Sequence, residues 1–277
     1  MTSITGRLKS GLYTATQSMS MIWQQKALLI YMGIPAAINI IIRLILHNAQ
    51  TPLTPFHLTS LLAQLFAALP QWAHKIGLFL LFMVTAMITT YFTVALIYRV
   101  ALRMQDIVIN FRQSMAACID KLGIIALWAF PLALIEFVIN SLLEASLKNT
   151  IAISVKWSIL FLLCFWLLYT FFVLPIIALK QMPFFATLKL SGTITRHSLV
   201  EIIGGECWFI LTICLVAVPF LAIELATKNM AFNPALVFLG LFVSEFALKC
   251  WLTTAHALFK TMLYQAYRKD FPDPDLM

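Results

Sequence analysis

Residues 76–98 read IGLFLLFMVTAMITTYFTVALIY, twenty-three residues without one charged side chain. A helix of that length is roughly 34 Å long, enough to cross about 30 Å of hydrocarbon. A helix buried in a soluble core is usually apolar over only ~10–14 residues. Five further runs pass the same test, at 27–46, 122–143, 157–179, 207–226 and 235–258. Overall, 62% of the 277 residues are hydrophobic and 11% charged. Soluble domains sit nearer ~45–50% and ~25%. The sequence predicts an all-α polytopic membrane protein. It is one integral membrane domain over 1–277, with six transmembrane helices and a flexible tail at 270–277. The first run begins at Ala27 and holds Pro35 and Arg43, so it reads as a retained anchor and not a cleaved signal. Arg43 is a candidate for its end.

Orientation follows from the basic residues flanking the runs. Thirteen lie on the side of the N-terminus: Arg7, Lys9, Lys26, Arg99, Arg103, Arg112, Lys121, Lys180, Lys189, Arg196, Lys260, Arg268 and Lys269. Five lie on the other: Arg43, Lys75, Lys148, Lys156 and Lys228. The excess places both termini in the cytoplasm of a plasma (inner) membrane protein. It also explains the net charge of +8 as attraction to anionic lipid headgroups at the cytoplasmic face. No basic run is dense enough for nucleic acid.

The connections carry helical periodicity. Met104, Val108, Phe111, Met115, Ile119 and Leu122 recur every three or four residues, with Arg103, Asp106, Arg112 and Asp120 between them. That is one apolar face of an amphipathic helix, suited to the headgroup plane. Leu8, Leu12, Ala15, Met19 and Ile22 repeat the design, and FFATLKLSGTITRHSLVEII is a third such segment, entered through Pro183. On the opposite side, Leu58, Leu61, Leu62, Leu65, Phe66 and Leu69 have the same spacing. Gly204 and Gly205 read as a joint between the third interfacial helix and the fifth span. SMSMIWQQKALLIYMGIP from Ser18 aligns without gaps to SMAACIDKLGIIALWAFP from Ser114. The third segment starts similarly but loses register before Pro219. Three helix–span–span units are therefore suggested.

These stretches, with YFTVALIYRVALRMQDIVINFRQSMAACIDKLGIIALW, TFFVLPIIALKQMPFFATLKLSGTI and LTTAHALFKTMLYQAY, resemble an uncharacterised family of prokaryotic multi-span membrane proteins. That family is itself likened to the membrane domain of glycerophosphodiester phosphodiesterases. Lys180 stands where an acidic residue is expected in the family. The resemblance implies a membrane fold and no activity, because the phosphodiesterase's catalytic domain is absent from this sequence.

No Gly-rich phosphate loop, HExxH or GxSxG is present, so no catalytic residue is assigned. Cys118, Cys164, Cys207, Cys214 and Cys250 form no CxxC pair. His47, His57, His74, His197 and His256 lack metal-ligand spacing. Neither a metal nor a cofactor is implied. Glu136, Glu144, Glu201, Glu206, Glu224 and Glu245 lie on different predicted helices, and spacing brings no two together.

The remaining candidates are polar residues within spans: Arg43, Glu136, Asn140, Glu224, Glu245 and Lys249. A charge at the bilayer centre costs about 2.5–3.5 kcal/mol and normally meets a partner or water. Arg43, Glu136 and Glu224 fall at similar depths, so Arg43 is expected to tie to one of the two glutamates. Glu245 and Lys249, four residues apart near the midplane, suit a pair on one helix face. Three functional readings remain. One is a non-enzymatic protein organising lipid or membrane partners, itself included. Another is a transporter or channel using Glu136 and Glu245. The third is a lipid enzyme.

Overall fold

The computed structural model describes residues 3–50, 71–146, 151–228 and 234–270. Over 42–50, 71–72, 142–146, 151–157, 159–160, 219–228, 234–242 and 269–270, and at His74, Asn140, Ala217 and Glu245, it describes backbone alone. The described chain is helical, and no strand occurs within it. The helices are α1 (Ile4–Gln24), α2 (Leu29–Gln50), α3 (Gln71–Arg103), α4 (Phe111–Ala116), α5 (Leu122–Ser146), α6 (Ile151–Tyr169), α7 (Val173–Leu179), α8 (Phe184–His197), α9 (Leu199–Lys228) and α10 (Pro234–Asp270). Short 3-10 turns at Lys26–Leu28 and Ile119–Lys121 lead into α2 and α5.

Four described stretches are long and apolar enough to cross a membrane: Lys75–Arg103, Phe111–Ile139, Phe161–Leu179 and Leu199–Val216. They fall on the second to fifth expected spans. Lys26–Ile41, on the first, is apolar but shorter. The protein is thus all-helical with at least the apolar helices of a membrane protein. The core lies where α3, α7 and α10 meet. Val94, Leu96 and Ile97, Phe172 and Ile176, and Leu258 and Phe259 have no exposed surface there.

Local structure departs from the expectations at four places. The segment after α3 is not one helix. Asp106 takes a left-handed conformation (φ 61°). Ile107 N–H donates to the Leu102 carbonyl and Asp106 N–H to that of Arg103, both at 3.0 Å. This pattern closes a helix C-terminus. The chain then runs irregularly to Asn110, whose N–H donates to the Gln113 side chain at 2.8 Å as α4 begins. Met104, Val108 and Ile119, expected on one face, are all exposed.

The fourth span, expected unbroken over 157–179, is interrupted between α6 and α7 at Thr170–Phe172. Pro175 has no N–H to give the preceding turn. Ser191 on α8 repairs the break. Its hydroxyl donates to the Tyr169 carbonyl at 2.9 Å and accepts from Phe172 N–H at 3.2 Å.

Gly204 and Gly205 are no joint. α9 runs through them, and the break falls at Ser198, where α8 ends. The glycines serve close approach instead. A Cβ on Gly204 would stand 2.6 Å from the Leu8 carbonyl oxygen, and one on Gly205 would strike the Phe259 ring.

The buried stripe of α1 is Gly11, Ala15, Ser18 and Ile22; it keeps Ala15 and Ile22 of the expected face, but Leu8 is exposed and two small residues take part instead. Small residues win because α1 lies backbone to backbone on α9: a Cβ on Gly11 would collide with the Glu201 carbonyl. The connection holding Leu58, Leu61, Leu62, Leu65, Phe66 and Leu69 lies outside the described residues, as does most of the C-terminal tail.

The repeat is clearer in three dimensions than in sequence. Ser18, Ser114 and Ser191 are each fully buried. Four residues beyond each serine the side chain is again buried, at Ile22, Cys118 and Thr195. The next α-helix then starts at Leu29, Leu122 and Leu199, eleven, eight and eight residues beyond the serine. The third unit therefore keeps register past the point where identity fails. Each unit is a leading helix followed by a helical hairpin. Each leading helix packs on the hairpin of another unit: α4 on α3, α8 on α6 and α7, and α1 on α9 and α10. The three units close into a ring.

Candidate functional site

α9 presents two carboxylates, one to each neighbour. Glu201, in its first turn, faces α1. Arg7 Nε donates to Glu201 Oε1 at 2.6 Å and Nη2 to Oε2 at 2.8 Å. Nη2 also donates to the His197 carbonyl, at the end of α8. The fork geometry of arginine suits this two-toothed contact. Hydrogen bonding to Glu201 outweighs partial desolvation and raises the Arg7 guanidinium above its ordinary pKa. One side chain thus ties together α1, α8 and α9.

Glu206 lies farther along α9 and faces α10. His256 Nε2 approaches Glu206 Oε1 at 2.5 Å. The imidazole is held by aromatic edges, with Phe209 at 5.6 Å and Phe171 at 5.8 Å between ring centres. One turn beyond His256, the Lys260 ammonium rests over the Phe171 ring at 4.7 Å. Gly205 against Phe259 sets the close approach of the two helices beside this pair.

A cleft of about 230 Å³ opens between α9 and α10, lined by Glu206, Phe209 and Ile213 from one and Leu252, Thr253 and His256 from the other. Ile213 and Thr253 are exposed, so it opens at the side of the bundle. A larger cleft of about 400 Å³ lies between α5 and α6, with Pro131, Leu134, Val138, Leu162 and Trp166 among its walls. Its lining is apolar throughout, and Leu134 and Leu162 face outward.

Few of the residues singled out from sequence reach these clefts. Glu136 is half-buried on α5 and lines neither. Lys249 is exposed on α10, and its carbonyl accepts from Thr253 Oγ1 at 2.7 Å. The side chains of Arg43, Asn140, Glu224 and Glu245 lie outside the described residues, and with them the Arg43 tie and the Glu245–Lys249 pair. Sequence reasoning missed Arg7–Glu201 and Glu206–His256. A usable signal for the second existed. Glu206 lies near the start of one span and His256 near the end of the next, so an antiparallel hairpin brings them to one level.

No family model, curated protein or solved structure matches this chain.

Proposed function

We propose that the chain is a non-enzymatic integral membrane protein of six spans that holds lipid at its lateral surface. The observation that carries this reading is the pair of side-opening clefts. The larger one, at about 400 Å³, is within the ~300–1,000 Å³ range of small-molecule sites and offers no polar group. An apolar wall facing the bilayer suits an acyl chain. Among the described residues the centre is packed, with Leu96, Ile176 and Phe259 fully buried, and that lends transport no support. The transport reading gains nothing from Glu136, which lines neither cleft. The repeat supports six spans, because each unit supplies a leading helix and a hairpin. Thirteen basic residues against five support cytoplasmic termini and anionic headgroups as neighbours.

The test is mass spectrometry of the protein released from mild detergent. Phospholipid is expected to remain bound in a fixed ratio to protein. A protein stripped of all lipid, together with solute or proton flux in liposomes, overturns the reading in favour of transport. Reporter fusions at both termini test the orientation, and both are expected to report cytoplasm.

A further inference from the structure

We infer that the cleft between α9 and α10 is a headgroup site for a phospholipid carrying a primary ammonium. The inference rests on the lipid-holding reading above and names the chemistry of one of its sites. Hydrogen-bonding capacity decides the ligand. Glu206 Oε1 is engaged by His256, whereas Oε2 accepts no hydrogen bond among the described residues. An ionised carboxylate only accepts, with room for about four hydrogen bonds. Thr253 has already given its hydroxyl proton to the Lys249 carbonyl, so toward the cleft it too is an acceptor. His256 Nε2–H is committed to Glu206. The polar floor therefore asks for donors and for positive charge. An ammonium brings both, with three N–H groups.

Two further features fit. Phe209 lines the cleft beside Glu206, and an aromatic ring favours a nearby cation. Lys260 attracts the Glu206 carboxylate from outside the cleft, but its ammonium rests over the Phe171 ring and does not line the cleft. Among the described residues the carboxylate there still lacks a second donor. Ile213 and Leu252 continue the walls along the two helices, giving apolar contact for the methylenes that follow a headgroup. Glu206 sits seven residues into α9, roughly 10 Å along the helix. That is shallow enough for a headgroup to reach from the interface. A choline headgroup has the charge but no N–H to donate, and a glycerol headgroup adds no positive charge.

The full-length protein in detergent is titrated with phosphatidylethanolamine, phosphatidylcholine and phosphatidylglycerol of identical chains. Retention is read by native mass spectrometry. The wild type should retain the ethanolamine lipid about tenfold over either other, ~1.4 kcal/mol. Glu206→Gln keeps an oxygen for His256 but removes the charge, and it should bring the three lipids to near equality. Ile213→Trp fills the cleft from its outer wall and leaves both Glu206 and His256 in the sequence, and it should also remove the preference. Equal retention of all three lipids by the wild type overturns the inference while leaving lipid holding intact. A preference that survives in Ile213→Trp overturns it equally, even if Glu206→Gln does not fold. Retention of no phospholipid by the wild type rejects the broader reading instead.

Discussion

Replacing Gly11 by alanine tests the docking of α1 directly. The new Cβ would lie 2.8 Å from the carbonyl carbon of Glu201 and 2.9 Å from its Cα. Ordinary contact begins near 3.4 Å, and the atoms met are backbone, which cannot rotate away. The Glu201 carbonyl oxygen is closer still, so α1 must back off by about an ångström or more along its length. Overpacking of this kind costs about 1–3 kcal/mol. The Arg7–Glu201 pair sits one turn away, and displacing it removes roughly a further 1 kcal/mol. At ~2–4 °C per kcal/mol for a chain of this size, the melting temperature should fall by about 4–16 °C. Gly33 and Gly123 are the internal controls. Both are in helices, and a Cβ at either meets nothing within 4 Å. Alanine there relieves the helix cost of glycine, about 0.5–1 kcal/mol, and should raise the melting temperature slightly. The assay is thermal unfolding in detergent followed by size-exclusion fluorescence. A Gly11→Ala variant melting with the wild type would refute the close packing of α1 on α9.

Further consequences follow from single contacts. A double-mutant cycle on Arg7→Ala and Glu201→Ala should show a coupling of about 1–2 kcal/mol, above the usual exposed pair because the contact is two-toothed and partly buried; additive losses of melting temperature would contradict it. Ser191→Ala leaves the Phe172 N–H without its partner in a buried break, so a loss of about 1–3 kcal/mol is expected, read as earlier thermal unfolding in detergent. Asp106→Gly removes the left-handed strain at the end of α3 and should add up to about 1 kcal/mol, whereas Asp106→Val should subtract at least as much.

The long apolar helices are legible in run length, and residues 76–98 lie wholly within one of them. Breaks inside those runs were less legible, because they depend on partners far away. Pro175 marks where a helix weakens, but only Ser191 on another unit makes a break at 170–172 tolerable. Gly204–Gly205 misled for a related reason. Glycine pairs loosen isolated helices, yet here they admit Leu8 and Phe259, and no periodicity in α9 reports that. The amphipathic reading of 104–122 failed at Asp106. Its spacing is helical, but the hydrogen bonds from Asp106 and Ile107 end α3 there. As for the site, depth along single spans drew attention to Glu136 and Glu245. Depth compared between consecutive spans would have drawn it to Glu206 and His256.

The ring of three units explains why its contacts differ in kind. Two leading helices meet a hairpin in the unit just before them, and a buried serine makes each join: Ser114 with the Tyr31 hydroxyl, and Ser191 with the backbone at Tyr169 and Phe172. The third join is made across the sequence, onto the hairpin of the third unit. α1 must wait for α9, 194 residues on from Arg7 to Glu201. Ser18 keeps its buried place but bonds only within α1, to the Ala15 carbonyl at 2.7 Å. Recognition passes to Gly11 against the Glu201 carbonyl, Gly204 against Leu8, and the Arg7 fork. Contacts of such separation form after the local ones that shorten the loop between them. The closing join spans the longest stretch of sequence, and among the described residues it alone of the three carries an arginine–carboxylate fork.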